Sequence, residues 1–70
     1  MEYVKVIFSE DRQVLVDGEE CGTTGETLEV DEGVHRIKLD GPQNYSPTFR
    51  RPNVTGTTFA APMEVSFEEN

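Results

Sequence analysis

Gln13-Val14-Leu15-Val16-Asp17-Gly18 reads as a strand that runs into a turn. Val14 and Val16 lie two residues apart, so both point to one face of an extended chain while Leu15 points to the other. Asp17-Gly18 suits the two-residue type I′ hairpin turn, whose central residues both take positive φ. The spacing therefore predicts that Glu19-Glu20-Cys21 runs back along Val14 to Val16, with Cys21 in an inward slot as a small hydrophobe.

The same period of two extends in both directions. Upstream, the segment 3–9 puts Val4, Val6 and Phe8 on one face. Downstream, Leu28 and Val30 share a face, as do Ile37 and Leu39 with His35 beside them. Near the end, Met63, Val65 and Phe67 alternate with Glu64, Ser66 and Glu68. Each pattern buries one face of a strand and wets the other, and no window carries the i, i+3, i+4, i+7 spacing of a helix. Between the strands stand turn signals: Ser9-Glu10-Asp11-Arg12, Gly22-Thr23-Thr24-Gly25, Glu32-Gly33, and Asp40-Gly41-Pro42-Gln43-Asn44. Pro42 cannot donate within a central ladder, which makes the last of these a loop. From Tyr45 onward, Pro47, Pro52 and Pro62 leave room only for edge strands around Phe49 and 54–59. The reading is one all-β domain over residues 1–70, a small antiparallel β-sandwich of about five to seven short strands joined by Gly/Pro turns.

Treating Ser9 to Arg12 as a hairpin loop places Phe8 opposite Val14 and Val6 opposite Val16. That register sets Ile7 against Leu15 on the outer face. The pair needs a cover, from elsewhere in the chain or from self-association, and makes Ile7 and Leu15 a candidate apolar interface.

Composition narrows the function classes. Seventy residues with one cysteine and one histidine allow neither an internal disulfide nor a four-ligand Cys/His zinc site. A net charge of −8 argues against nucleic acid and against anionic membrane surfaces, both of which are met by Lys and Arg. No apolar run reaches membrane-spanning length, so membrane insertion is not expected. The start Met1-Glu2-Tyr3-Val4-Lys5 has no basic and apolar leader pattern. The expectation is a cytoplasmic protein if Met1 is the natural start, and otherwise a fragment of a surface protein.

The stretch Val14-Leu15-Val16-Asp17-Gly18, then Gly22-Thr23, Leu28, Val30, Gly33, His35, Ile37, Leu39 and Tyr45 resembles the PEGA domain, a small β-sandwich module of bacteria and archaea. The likeness follows that family's V-x-V-D-G hairpin, its L-x-L strand and its G-x-H-x-I-x-L strand, over residues 9–45. Glu10-Asp11-Arg12-Gln13 stands where the family has its eponymous tetrapeptide, Gly25 replaces a corner proline, and Asn44 replaces the glycine before the loop tyrosine. The resemblance implies a non-enzymatic domain that mediates interactions, and it carries over no catalytic residue.

The candidate sites are few. Cys21 has two neighbouring glutamates, and their negative charge disfavours a reactive thiolate. His35 has no serine or cysteine nucleophile arranged with it, and reads as a core-edge residue. The acidic loops around Glu10-Asp11, Asp17 to Glu20 and Asp31-Glu32 would interest calcium only if several converged, since calcium takes about six to eight oxygens. The Arg50-Arg51 pair follows Phe49 and Tyr45. Tyr and Arg are enriched at interface hot spots, so Tyr45, Phe49, Arg50 and Arg51 form a candidate partner surface. The competing reading has an arginine of the pair neutralising an acidic loop. No cofactor is implied. The function expected is a non-catalytic protein-interaction or structural module that binds another protein or itself, with a strand near 48–59 open to a partner strand. The alternative is a small-ligand or calcium-binding domain.

Overall fold

The computed structural model describes residues 1–69. Those residues form an all-β fold of ten short strands: β1 (Glu2–Ile7), β2 (Gln13–Val16), β3 (Glu19–Thr23), β4 (Thr27–Val30), β5 (Gly33–Val34), β6 (Ile37–Leu39), β7 (Tyr45–Ser46), β8 (Asn53–Val54), β9 (Met63–Ser66) and β10 (Glu68–Glu69). Several are two residues long, which is why the count exceeds the sequence expectation. Two three-stranded sheets, β4-β1-β9 and β3-β2-β6, are joined by the two-stranded pairs β10-β7 and β5-β8.

The alternation identifies the buried faces correctly. Val4, Val6, Val14, Val16, Leu28, Val30, Ile37, Leu39, Val65 and Phe67 all lie in one hydrophobic cluster, with Phe8 and Met63 packed against it. Tyr45 and Val54 complete it from the proline-rich segment. Each such side chain contributes about 1.5–3 kcal/mol relative to exposure, and this is what holds strands too short to be stable alone.

The strand partners differ from the expectation. β1 does not form a hairpin with β2. It pairs antiparallel with β4, Val4 opposite Leu28, and parallel with β9, Val6 opposite Val65. β2 pairs with β3 and β6 in the other sheet. Residues Ser9 to Arg12 form an arch between sheets, and Thr24 pins it. Its hydroxyl donates to the Glu10 carbonyl (2.8 Å) and accepts from the Arg12 N–H (3.1 Å), while its own N–H donates to the Arg12 carbonyl (2.9 Å). Ile7 and Leu15 are consequently not a pair. Ile7 is exposed opposite Ser66 in one sheet, and Leu15 is half-buried between Glu20 and Lys38 in the other.

The Asp17-Gly18 turn forms as expected, with φ of 54° and 86°. The returning strand β3 does not. Val14 faces Gly22 and Leu15 faces Glu20, which leaves Cys21 as the extra residue of a β-bulge. Cys21 is exposed and not inward. Gly22 has φ 153°, and a Cβ there would lie 2.4 Å from Leu28 Cδ2, so the bulge also brings backbone against a core leucine. Glu32-Gly33 does not turn a hairpin either, because Gly33 pairs with Val54 of β8.

Candidate interaction site

Three polar arrangements stand out, and each begins with a residue whose role follows from what surrounds it. The first is Arg12. Its side chain is only 10% exposed, although it follows a turn. The guanidinium donates to the Asp40 carbonyl through Nε (2.8 Å) and Nη2 (2.6 Å), to the Pro42 carbonyl (2.8 Å), to Asn44 Oδ1 (2.8 Å) and to Glu10 Oε1 (3.0 Å). It also lies 5.7 Å from the ring centroids of both Phe8 and Tyr45. The planar fork of an arginine suits this set of carbonyls. Arg12 thus closes the Asp40–Asn44 loop over two aromatic rings.

Tyr45, expected on a partner surface, belongs to this internal assembly. It is 2% exposed. Its hydroxyl donates to the Leu39 carbonyl (2.8 Å) and accepts from the Leu39 N–H (3.3 Å), so both ends of the phenol's polarity are satisfied. Its ring makes edge-to-face contacts with Phe8 and Phe67. An aromatic in an irregular, proline-rich segment gives no periodic signal of burial, which explains the misplacement.

The second arrangement ties the Asp17 turn to the loop before β6. Asp17 Oδ1 accepts from the Arg36 N–H (2.9 Å), and Oδ2 meets His35 Nδ1 (2.7 Å). His35 Nε2 lies 2.5 Å from the Asp31 carbonyl. A carboxylate and a carbonyl are both acceptors, so both ring nitrogens must donate and the geometry favours the imidazolium. The His35 pKa is accordingly raised, chiefly by Asp17 and then by the Asp31 carbonyl. The Asp17 carboxyl is held below its ordinary range, first by the Arg36 N–H and then by His35. With both ring nitrogens engaged, His35 is a structural residue at the core edge. Among the described residues, no group of three or more His, Cys, Asp or Glu side chains is placed to hold a metal ion.

The third arrangement contains Phe49, Arg50 and Arg51. β10 pairs antiparallel with β7, Glu68 opposite Ser46 and Glu69 opposite Tyr45. Moving away from that pair, the two chains diverge. Arg50 crosses to β6, where its N–H donates to the Ile37 carbonyl (2.9 Å) and its carbonyl accepts from the Ile37 N–H (2.7 Å). β9 instead pairs with β1, and Phe67 N–H donates to the Ile7 carbonyl (3.0 Å). The result is a fork, closed at β7–β10 and open beyond it. Its mouth is a groove of about 640 Å³ with residues 49–52 on one side and residues 63–66 on the other.

Strand geometry decides what lines the groove. Backbone groups alternate sides along a strand. Met63, Val65 and Phe67 turn their N–H and C=O toward β1, so Glu64 and Ser66 turn theirs into the groove. Arg50 and Pro52 face β6 and the His35 N–H, so Arg51 turns its own backbone groups into the groove from the opposite wall. One contact spans the gap: Arg50 Nε donates to the Ser66 carbonyl at 2.7 Å. Neither arginine of the pair neutralises an acidic loop, because among the described residues the ion pairs are Arg12–Glu10 and His35–Asp17.

The charge distribution follows from the same register. The Ile37–Arg50 bridge sets Lys38 opposite Phe49 and Arg36 opposite Arg51 on the outer face. The Arg36 guanidinium lies 4.3 Å over the Phe49 ring, a cation–π distance. Arg36, Lys38, Arg50 and Arg51 are four of the six basic residues in a chain of net charge −8. Sequence spacing suggested the Arg50-Arg51 pair. Arg36 and Lys38 were missed, and the alternation of β6 could have found them, since they flank the buried Ile37.

Comparison of the chain with family models, with curated proteins and with solved structures returned no match.

Proposed function

We propose that this chain is a non-catalytic, PEGA-like protein-interaction module, and that the fork between residues 49–52 and β9 takes up an extended segment of a partner. The observation that carries the reading is the pair of divergent strand edges that turn backbone groups of Arg51, Glu64 and Ser66 away from their own ladders and into one groove, where a single side chain, Arg50, meets one of them among the described residues. Open edges of this kind are templates for another strand, and folds that do not use them usually block or cover them. A segment added there gains ladder hydrogen bonds from the backbone, with specificity from alternate side chains. The floor is apolar, from Val65 and Met63.

The test uses a single substitution that removes an outward donor and leaves the inward ladder untouched. Glu64→Pro deletes an N–H that points into the groove, a position where an edge strand tolerates proline. Random peptides displayed on phage are selected against the wild-type domain and then measured against Glu64→Pro. Loss of binding in the variant, with its circular dichroism unchanged, is the expected result. Equal binding of the selected peptides to both proteins removes the fork as the docking site.

A further inference from the structure

The fork has a chemical preference, and its register defines it. A strand seated in the groove presents alternate side chains to two different environments. One set faces inward to Val65 and Met63, which belong to the core or pack on it. The other set faces outward, beside Phe49 and Arg51 and along the row that holds Arg36 and Lys38. Among the described residues no carboxylate is ion-paired with Arg36, Lys38, Arg50 or Arg51. The acidic residue of the groove, Glu64, stands directly opposite Lys5 of β1 on its own sheet.

Arg50 adds a second element. Its Nε occupies the Ser66 carbonyl, an acceptor that a partner strand would need. Insertion must displace that contact, which frees a guanidinium at the mouth of the groove. A freed guanidinium is best matched by a carboxylate, which it can bind through two parallel hydrogen bonds. The apolar floor, the basic outer row and the displaceable arginine all select for the same ligand.

Resting on the reading of the fork as a strand-accepting groove, we infer that its partner segment is an extended peptide in which acidic residues alternate with apolar ones. The acidic side chains meet Arg50, Arg51, Arg36 and Lys38, and the apolar ones cover Met63 and Val65. Recognition is then a strand addition steered by charge, so it weakens with salt as exposed charges are screened.

The experiment is an amide NMR titration of the ¹⁵N-labelled domain with three capped eight-residue peptides. One alternates Glu and Val, one alternates Lys and Val, and one has the composition of the first with its four Glu preceding its four Val. The expected result is that the Glu-Val peptide shifts the Arg51, Glu64 and Ser66 amides, while the other two bind at least about tenfold more weakly, a difference of about 1.4 kcal/mol. A Lys38→Glu/Arg51→Glu variant with an unchanged spectrum elsewhere should lose that preference. Equal or tighter binding of the Lys-Val peptide at the same three amides overturns the acidic preference and leaves the fork standing. Equal binding of the blocked peptide, with shifts at Arg36 and Lys38 only, overturns strand insertion itself. No shift at the fork amides with either alternating peptide overturns both.

Discussion

The two ends of the segment between β6 and β9 treat arginine in opposite ways. At the Asp40–Asn44 loop, Arg12 is nearly buried and all its donating groups engage oxygens of its own chain. At the fork, Arg51 has no ion-pair partner among the described residues, Arg50 makes one contact to a carbonyl, and Arg36 rests on an aromatic ring. The first arginine is a structural clamp and the others are available. In an acidic chain with few cations, the difference between a saturated site and an unsaturated one separates what folds the domain from what it can bind.

If this contrast is right, mutation at the two ends must give opposite phenotypes. The largest effect belongs to Arg12→Ala, which removes charge-assisted bonds to the Asp40 and Pro42 carbonyls and uncovers Phe8 and Tyr45. We expect a loss of about 3 kcal/mol, read as a fall of roughly 12–24 °C in the thermal midpoint of a domain this small. Arg12→Lys should recover little of it, because an ammonium cannot reproduce the planar fork. A midpoint within a few degrees of wild type would mean that the clamp is ornamental.

Tyr45→Phe tests the same end more gently. It keeps the ring contacts with Phe8 and Phe67 and deletes the hydroxyl that serves Leu39 twice. Leaving a buried N–H and C=O without that partner should cost about 1–3 kcal/mol in urea unfolding. A neutral result would place Tyr45 outside the saturated network.

The Asp17–His35 contact gives a smaller, pH-dependent effect. His35 has a raised pKa in the folded state. Its contribution is therefore fully present below the unfolded value near 6.5 and is lost as pH rises through the folded value. Asp17 has a lowered pKa, so its contribution is present above the unfolded value of 3.8 and is lost as pH falls through the folded one. The thermal midpoint should therefore fall on both sides of a weakly acidic optimum. His35→Gln should flatten the alkaline limb and leave the acid limb of the other carboxylates. An alkaline limb unchanged by that substitution would contradict the two-acceptor geometry around the ring.

The smallest stability effect is expected at the fork. Lys38→Glu and Arg51→Glu break no ion pair and should change the unfolding free energy by about 0.5 kcal/mol or less. A large destabilisation by either would show that the basic row holds the fold together, and the contrast would collapse.

Much of this fold is legible in the sequence, but unevenly. Alternation identifies the buried faces of β1, β2, β4, β6 and β9, and Asp17-Gly18 identifies the hairpin, because period and turn chemistry are local. Alternation does not identify partners. The choice between Ser9–Arg12 as a hairpin loop and as an arch between sheets is made by Thr24, twelve residues from Arg12, and by β9, far along the chain. The site is legible in part for the same reason. Arg50-Arg51 announces itself as a basic pair in an acidic chain, whereas Tyr45 is drawn into the core by Arg12 and Leu39, contacts with no trace in residue spacing. The exposed position of Cys21 depends on a one-residue bulge, which shifts every later side chain of β3 relative to the regular hairpin.

The binding role of the fork depends on residues 49–52 and β9 presenting open edges to one groove. Amide hydrogen exchange in the free protein tests it most directly. Protection should alternate on both walls, with slow exchange at Arg50, Val65 and Phe67, whose N–H groups face β6 or β1, and fast exchange at Arg51, Glu64 and Ser66. Slow exchange at Arg51, Glu64 and Ser66, matching that of their neighbours, would show that the fork is closed and has no edge to offer a partner strand.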